Sequence, residues 1–320
     1  MDDFRSSIAP LIKSYVDFKR SLGYKFQYTY VFSNLDRFLC EHAYKSLGLS
    51  EEILSKWSER RPNESDVTWY KRVDDIRNLS IYLNGIGYPS YVPRLPRRYT
   101  TTFKPYIFTY EELQRFFEAC DNMVEYNISC QSLYDVCPAL FRLLYGCGLR
   151  VNEALSLKCE DVNLTDGCII IHETKNGEER QLPLSVSLKT ALVQYNDHCR
   201  SNANDQDYFF VKKNGEKCSS NTIYKKFRKM LYYAKISHGG KGHGPRLHDF
   251  RHSFGVHSLA NMAEHGLDLY YCLPLLSKYL GHKSLAATDN YVRLTADMYP
   301  KLMNDVNQIC AFIFPEVKQP

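Results

Sequence analysis

CIIIHETKNGEERQLPL, residues 168–184, sets the fold class of this 320-residue chain, because it is a hairpin signal inside a sequence otherwise patterned for helices. Ile169, Ile170 and Ile171 form a β-branched run suited to a pleated strand, Asn176 and Gly177 are a pair that accepts the positive φ of a two-residue turn, and a second short strand follows. Outward from the hairpin the period changes. Residues 138–149 predict an apolar helix with Pro138 in its first turn and Leu140, Phe141, Leu143 and Leu144 on its buried side. On the other flank, YFFV at 208–211 reads as another short strand, and a basic helix carrying Lys225, Lys226, Arg228 and Lys229 comes after it. The expected class is mainly α with a small β-sheet.

Toward the N-terminus the pattern is helical throughout. Ile8, Leu11, Ile12, Tyr15, Val16 and Leu22 recur mostly at steps of three and four, as do Val31, Leu35, Phe38 and Leu39. Ser50 is an N-cap candidate with Glu51 and Glu52 in the first turn ahead of Ile53, Leu54 and Trp57. A fourth stripe runs from Trp69 through Val73, Ile76, Leu79 and Leu83 to Gly85, which completes a four-helix unit. Then YVPRLPRRYTTTFKPYIF, residues 91–108, places Pro93, Pro96 and Pro105 where they block regular structure and clusters Arg94, Arg97 and Arg98, as in an extended basic linker. Thr109 and Glu112 form a capping box that opens a new helix. The boundary therefore falls near residue 104, between a helical domain with its linker, 1–103, and an α+β domain, 104–320.

Composition narrows the functional class. With 44% hydrophobic and 14% aromatic residues the chain has ample material for packed cores, which excludes a disordered chain. The formal charge is +5, and it is unevenly placed: residues 1–103 carry 16 Lys+Arg against 12 Asp+Glu, the rest 25 against 24. No apolar run approaches the roughly 20 residues of a membrane span, and MDDFRSSIAP has no basic region leading into an apolar one, so a soluble, unprocessed protein without membrane partners is expected. The 11 cysteines are scattered with no CxxC pair, which fits reduced thiols better than disulfides or zinc.

Four local patterns then stand in order: GCGLRVNEALSL with Arg150 and Glu153, the hairpin with Lys175, HDFRHSFGVH with His248 and Arg251, and LGHKSLAATDNYV with His282 and Tyr291. Alone, each has an ordinary reading. An Arg-Glu pair is usually a surface ion pair, Lys-Asn-Gly suits any hairpin tip, and one of 25 tyrosines is usually packing. Together and in this order they resemble the tyrosine recombinases, also called the phage integrase family, and the likeness in domain layout extends over nearly the whole chain. One departure is that Asn-Gly follows Lys175, where many members have glycine directly after the lysine.

The resemblance implies an N-terminal core-binding domain and a catalytic domain that close around double-stranded DNA. It also implies a site-specific recombinase or integrase of a mobile element, working through a 3′-phosphotyrosine intermediate without metal, ATP or other cofactor. The residue types fit. Phosphoryl transfer spreads negative charge over non-bridging oxygens, and an arginine guanidinium is a planar, permanently charged fork for two of them, so Arg150 and Arg251 are the expected pair. His248, three residues before Arg251, shares a helix face with it, and His282 adds another donor. Tyr291 is the expected nucleophile, its phenol activated by a cationic pocket. The resemblance further implies that Lys175 protonates the leaving 5′ oxygen and that Glu153 orients Arg150. His252 and His257 read as structural.

DNA contacts are expected at Arg94, Arg97 and Arg98 in the linker and at Lys212, Lys213, Lys225, Lys226, Arg228 and Lys229, a stretch in which Glu216 is the single acid. The apolar segment Val306, Ile309, Cys310, Phe312, Ile313 and Phe314 reads as a short helix, and the resemblance implies that this tail joins protomers of a homo-tetramer on synapsed DNA. A cytoplasmic, nucleoid-associated bacterial protein is expected. Two other functions share these features: a type IB topoisomerase-like relaxing enzyme, and a DNA-binding protein without catalysis. The apolar tail argues against the first and the intact set of catalytic residue types against the second.

Overall fold

The structure, a computed structural model, describes residues 4–24, 30–99, 104–123, 131–172, 179–240, 244–282 and 284–299, the side chains of 131, 132, 286, 287, 296 and 297 excepted. Lys175, the Asn176–Gly177 turn and the tail from 300 onward lie outside the described residues. The chain divides into two compact units, Met1–Phe103 and Lys104–Pro320.

The first unit holds α1 (Ala9–Ser21), α2 (Tyr30–Glu41), α3 (Glu51–Ser58) and α4 (Asp66–Gly85). Their apolar stripes meet in one core that includes Ile8, Ile12, Tyr15, Phe32, Leu35, Leu39, Leu54, Trp57, Ile76 and Leu79. Ser50 and Ser65 cap α3 and α4 by accepting from the backbone N–H of Ile53 and Thr68, which satisfies donors a helix start leaves open. A buried ion pair, Arg72 to Glu64 at 2.8 Å, closes the α3–α4 loop. The segment read as a linker is extended, as its prolines require, but it is anchored: Tyr91 N–H donates to the Leu49 carbonyl at 2.7 Å, Arg77 donates to the Pro93 carbonyl at 2.9 Å, and the Tyr99 ring meets Tyr70 edge-on. Arg94, Arg97 and Arg98 are exposed.

The second unit contains α5 (Tyr110–Asp121), α6 (Gln131–Gly146), α7 (Val151–Leu155), α8 (Val186–Cys199), α9 (Ser220–Tyr233), α10 (Asp249–Glu264), α11 (Leu269–Leu280) and α12 (Leu285–Met298). The Thr109–Glu112 capping box opens α5. An antiparallel sheet of β1 (Val162–Asn163), β2 (Cys168–Ile171) and β3 (Arg180–Pro183) runs in the order β1-β2-β3, with Ile169 opposite Leu182 and Ile171 opposite Arg180. Phe108, Phe116, Phe141, Phe227 and Phe250 meet at the centre of the core, the Phe108 and Phe250 rings stacked at 5.1 Å. A second cluster packs α10, α11 and α12 through Val256, Leu259, Leu273, Leu276 and Tyr291.

Two expectations are corrected. Pro138 lies inside α6, not in its first turn, because the buried positions Leu133, Tyr134, Val136 and Cys137 carry the apolar stripe upstream of it. The packing of that face outweighs the backbone hydrogen bond a proline removes. YFFV makes only isolated bridges, Tyr208 with Lys158 and Val211 with Lys217, so it adds no strand to the sheet. Its rings fill the core, with Phe209 and Phe210 packed on Tyr195. The nine described cysteines are free thiols, and among the described residues no helix is long and apolar enough to cross a membrane.

Candidate active site

Three helices and two turns of the second unit assemble the site. After α6 the chain turns, and Arg150 takes extended backbone as the N-cap of α7. Its amide N–H donates to Glu153 Oε2 at 3.0 Å while its guanidinium Nη1 donates to Glu153 Oε1 at 2.6 Å, so one carboxylate fixes both the backbone and the side chain of the same arginine. Arg180, the first residue of β3, donates to Glu153 Oε2 from the other side at 2.8 Å. Burial by itself would raise the Glu153 pKa, but the bonds from Arg180 and Arg150 overcome it and hold the carboxyl below its ordinary range.

Arg251 sits in the first turn of α10 and is 1% exposed. Its Nη1 donates to the Gly148 carbonyl at 2.8 Å and its Nη2 to the Leu280 carbonyl at 2.6 Å, which ties the turn after α6 to the end of α11. Carbonyl dipoles replace water but bring no counter-charge. Burial, and then the repulsion of Arg150, push the Arg251 pKa down to about 10, which leaves it cationic at neutral pH.

Beyond α11 the chain reverses at Gly281 (φ +66) and passes His282 before α12 begins, which brings Tyr291 back toward α10. The Tyr291 ring lies against Gly255, is stacked on His282 with centroids 6.0 Å apart, and is 3% exposed. Its hydroxyl is 3.2 Å from His252 Nδ1. Burial raises the phenol's pKa, and Arg251 and Arg150 oppose it by favouring the phenolate. His282 Nδ1 is 2.8 Å from the Thr288 hydroxyl, which fixes the ring's orientation.

Burial and the surrounding cations press the three histidines the same way. His252 and His282 are pushed down to about 3 and about 4, and His248 to about 4 by burial together with Arg251, Arg150 and Arg246. The His248 ring is exposed to water, so for it the cations are the firmer cause. The surrounding cations thus favour the neutral imidazole at all three positions, and each ring keeps an N–H with which to donate to an anion.

The charges do not balance. Arg150, Arg180 and Arg251 bring three guanidinium charges around Tyr291 against the one carboxylate of Glu153, while Arg246 and Asp249 face each other at 3.6 Å. A pocket with that excess suits a group that is anionic and becomes more so, as a phosphodiester does on attack. Among the described residues one trio of metal-ligating types, Asp135, His198 and Cys199, comes within 4.8 Å of one another, and it does not include any member of this cluster.

Of the residues expected to carry chemistry, Arg150, Glu153, His248, Arg251, His282 and Tyr291 come together here, and Lys175 lies outside the described residues. Two members were not anticipated. His252, read as structural, touches the Tyr291 hydroxyl, and its spacing of four from His248 on α10 already put both on one face. Arg180 carried a weaker signal: strand alternation puts it on the same face as buried Leu182. In the basic stretch, Lys226 lies over the Tyr134 ring at 3.5 Å and Lys229 donates to the Tyr134 hydroxyl at 2.6 Å, and Lys225, Arg228 and Lys229 are exposed. Lys213 is exposed and Lys212 pairs with Glu216 at 2.8 Å.

A model of the phage integrase family matches residues 107–298. The chain is 27% identical over 310 residues to the Sinorhizobium fredii protein y4rB, named as an integrase or recombinase, covering 93% of this chain and 96% of that one. It is 35% identical over 159 residues to the tyrosine recombinase XerA of Pyrococcus furiosus, about half of each chain (48% and 49%). Among solved structures, the XerH site-specific recombinase bound to its difH substrate before cleavage is similar in fold, with a TM-score of 0.64 at 21% identity over 90% of this chain and 83% of that one.

Proposed function

The chain belongs to the phage integrase family and is a tyrosine recombinase that breaks and rejoins DNA, and from that premise we propose how its residues divide the reaction. The scissile phosphate sits among Arg150, Arg251, His248 and His282, whose donors meet its non-bridging oxygens. Tyr291 Oη attacks phosphorus, the P–O bond to the 5′ carbon's oxygen breaks, and a 3′-phosphotyrosine forms. The phenolic proton is lost to solvent as the new bond forms, with Arg251 and Arg150 favouring the phenolate, and the departing oxygen takes a proton from Lys175. Because one phosphodiester replaces another, a 5′ hydroxyl from a second strand reverses the steps and completes the exchange.

The observation that carries this reading is the buried tyrosine held beside three arginines that share a single carboxylate. A DNA duplex nicked close to the crossover, with its site selected from a randomised library, tests it: the short product escapes, so the covalent adduct accumulates. Wild type gives adduct and Tyr291→Phe gives none; adduct with the Phe variant would mean another nucleophile. For partners, double-stranded DNA and further copies of this chain are the proposal, with Arg94, Arg97, Arg98, Lys213, Lys225 and Arg228 as phosphate contacts. Residues 300–320 are the proposed link between protomers. Removing them is expected to leave cleavage of a single nicked site intact and abolish strand exchange between two sites, and exchange at the full rate would refute the link.

A further inference from the structure

Arg180 has no role in the steps above, and its surroundings are costly. Its side chain is 9% exposed, and among the described residues its Nε and Nη1 are buried without a hydrogen-bond partner. A buried charge with unmet donors is unfavourable and persists where it organises something else. The guanidinium also fits a space left by the backbone: Nη1 lies 2.9 Å from where a Cβ on Gly281 would stand, at the left-handed residue that turns the chain into His282. Its charge reaches Arg251 and His282 as well.

What Arg180 visibly organises is Glu153. With Oε2 held by Arg180 and the Arg150 amide, Oε1 is left to aim the Arg150 guanidinium. Arg180 is also the first residue of β3, paired with Ile171 where the two strands meet the segment that carries Lys175. We propose that Arg180 is a positioning residue for the phosphate clamp: it locks Glu153 so that Arg150 is aimed at the scissile phosphate, and it fastens the strand pair that leads into the Lys175 segment to that clamp. This rests on the recombinase reading above.

A substrate with a methylphosphonate at the scissile position tests it, because a neutral methyl group replaces one charged non-bridging oxygen and the reaction then depends less on a well-aimed arginine. Single-turnover adduct formation is compared on phosphodiester and methylphosphonate duplexes for wild type, Arg150→Ala, Arg180→Met and Arg180→Lys. Arg180→Met is expected to slow cleavage of the phosphodiester about 10- to 100-fold, the usual cost of removing a group that orients a functional side chain, with DNA affinity little changed. On the methylphosphonate the deficit of both Arg150→Ala and Arg180→Met, each relative to wild type on the same duplex, shrinks by about tenfold. Equal deficits on the two substrates would make Arg180 merely structural, and wild-type cleavage by Arg180→Met would remove it from the clamp. Should Arg180→Met not fold, Arg180→Lys, which keeps a cation but loses the fork, gives the same comparison. Absence of adduct from wild type would overturn the recombinase reading instead.

Discussion

Gly255→Ala separates the position of the nucleophile from the stability of the fold, because the substitution moves the first while leaving the second nearly unchanged. Gly255 is buried in α10, and a Cβ there would stand 3.0 Å from Tyr291 Cδ2, 3.0 Å from Cε2 and 3.1 Å from Cγ. Carbon atoms pack best at about 3.5–4.0 Å, so the ring must retreat by roughly half an ångström to one ångström. The hydroxyl goes with it, away from His252 and from the cations that favour the phenolate. A misplacement of about 1 Å costs on the order of 100-fold in rate, so a 10- to 100-fold loss is expected. The helix meanwhile gains: alanine is better than glycine in a helix interior by about 1 kcal/mol, which offsets part or all of the crowding. Calorimetry should therefore find the melting temperature within a few degrees of wild type while the single-turnover rate of adduct formation on a nicked duplex falls. Cleavage by Gly255→Ala at the wild-type rate would refute the reasoning, since it would mean that Tyr291 leaves this seat before it attacks.

Stability should depend on pH through the histidines. In the folded state His252, His257 and His282 are pushed down to about 3, 4 and 4, so the unfolded chain, titrating near 6.5, takes up protons first. Stability is then full above pH 6.5 and falls as the pH drops from 6.5 toward 4, by up to about 1.4 kcal/mol per pH unit for each group; urea melts across that range check it, and His282→Asn should flatten the dependence. For DNA, Lys225→Ala and Arg228→Ala are each expected to weaken binding to any sequence and lower the slope of log K against log salt by about one. Lys226→Ala and Lys229→Ala should change that slope less, because both ammonium groups sit on Tyr134; equal slopes for the four variants, measured by fluorescence anisotropy, would remove the distinction.

What could be read from the sequence follows how far each cause acts along the chain. The four N-terminal helices, the Ser50 cap and the Thr109–Glu112 capping box arise from patterns within a dozen residues and stand where those patterns put them, and the two strands flanking the Lys175 segment pair as the β-branched run suggests. Arg150 with Glu153 and His248 with Arg251 are also local, three residues apart on one turn. The misreadings came where a distant partner decides the outcome. Pro138 is tolerated inside α6 because a buried face continues past it, and YFFV is kept by the rings it packs on, not by strand pairing. Burial of charge is the extreme case. Nothing near Arg180 in sequence says that a carboxylate 27 residues upstream will hold it or that Gly281, a hundred residues on, leaves it room. Such a residue becomes visible only when the charges are counted in space, and that count leaves this pocket with two positive charges in excess. That excess suits a phosphodiester, which brings one negative charge and gains more on attack, so the residues least legible in the sequence are also those whose placement says most about what the pocket receives.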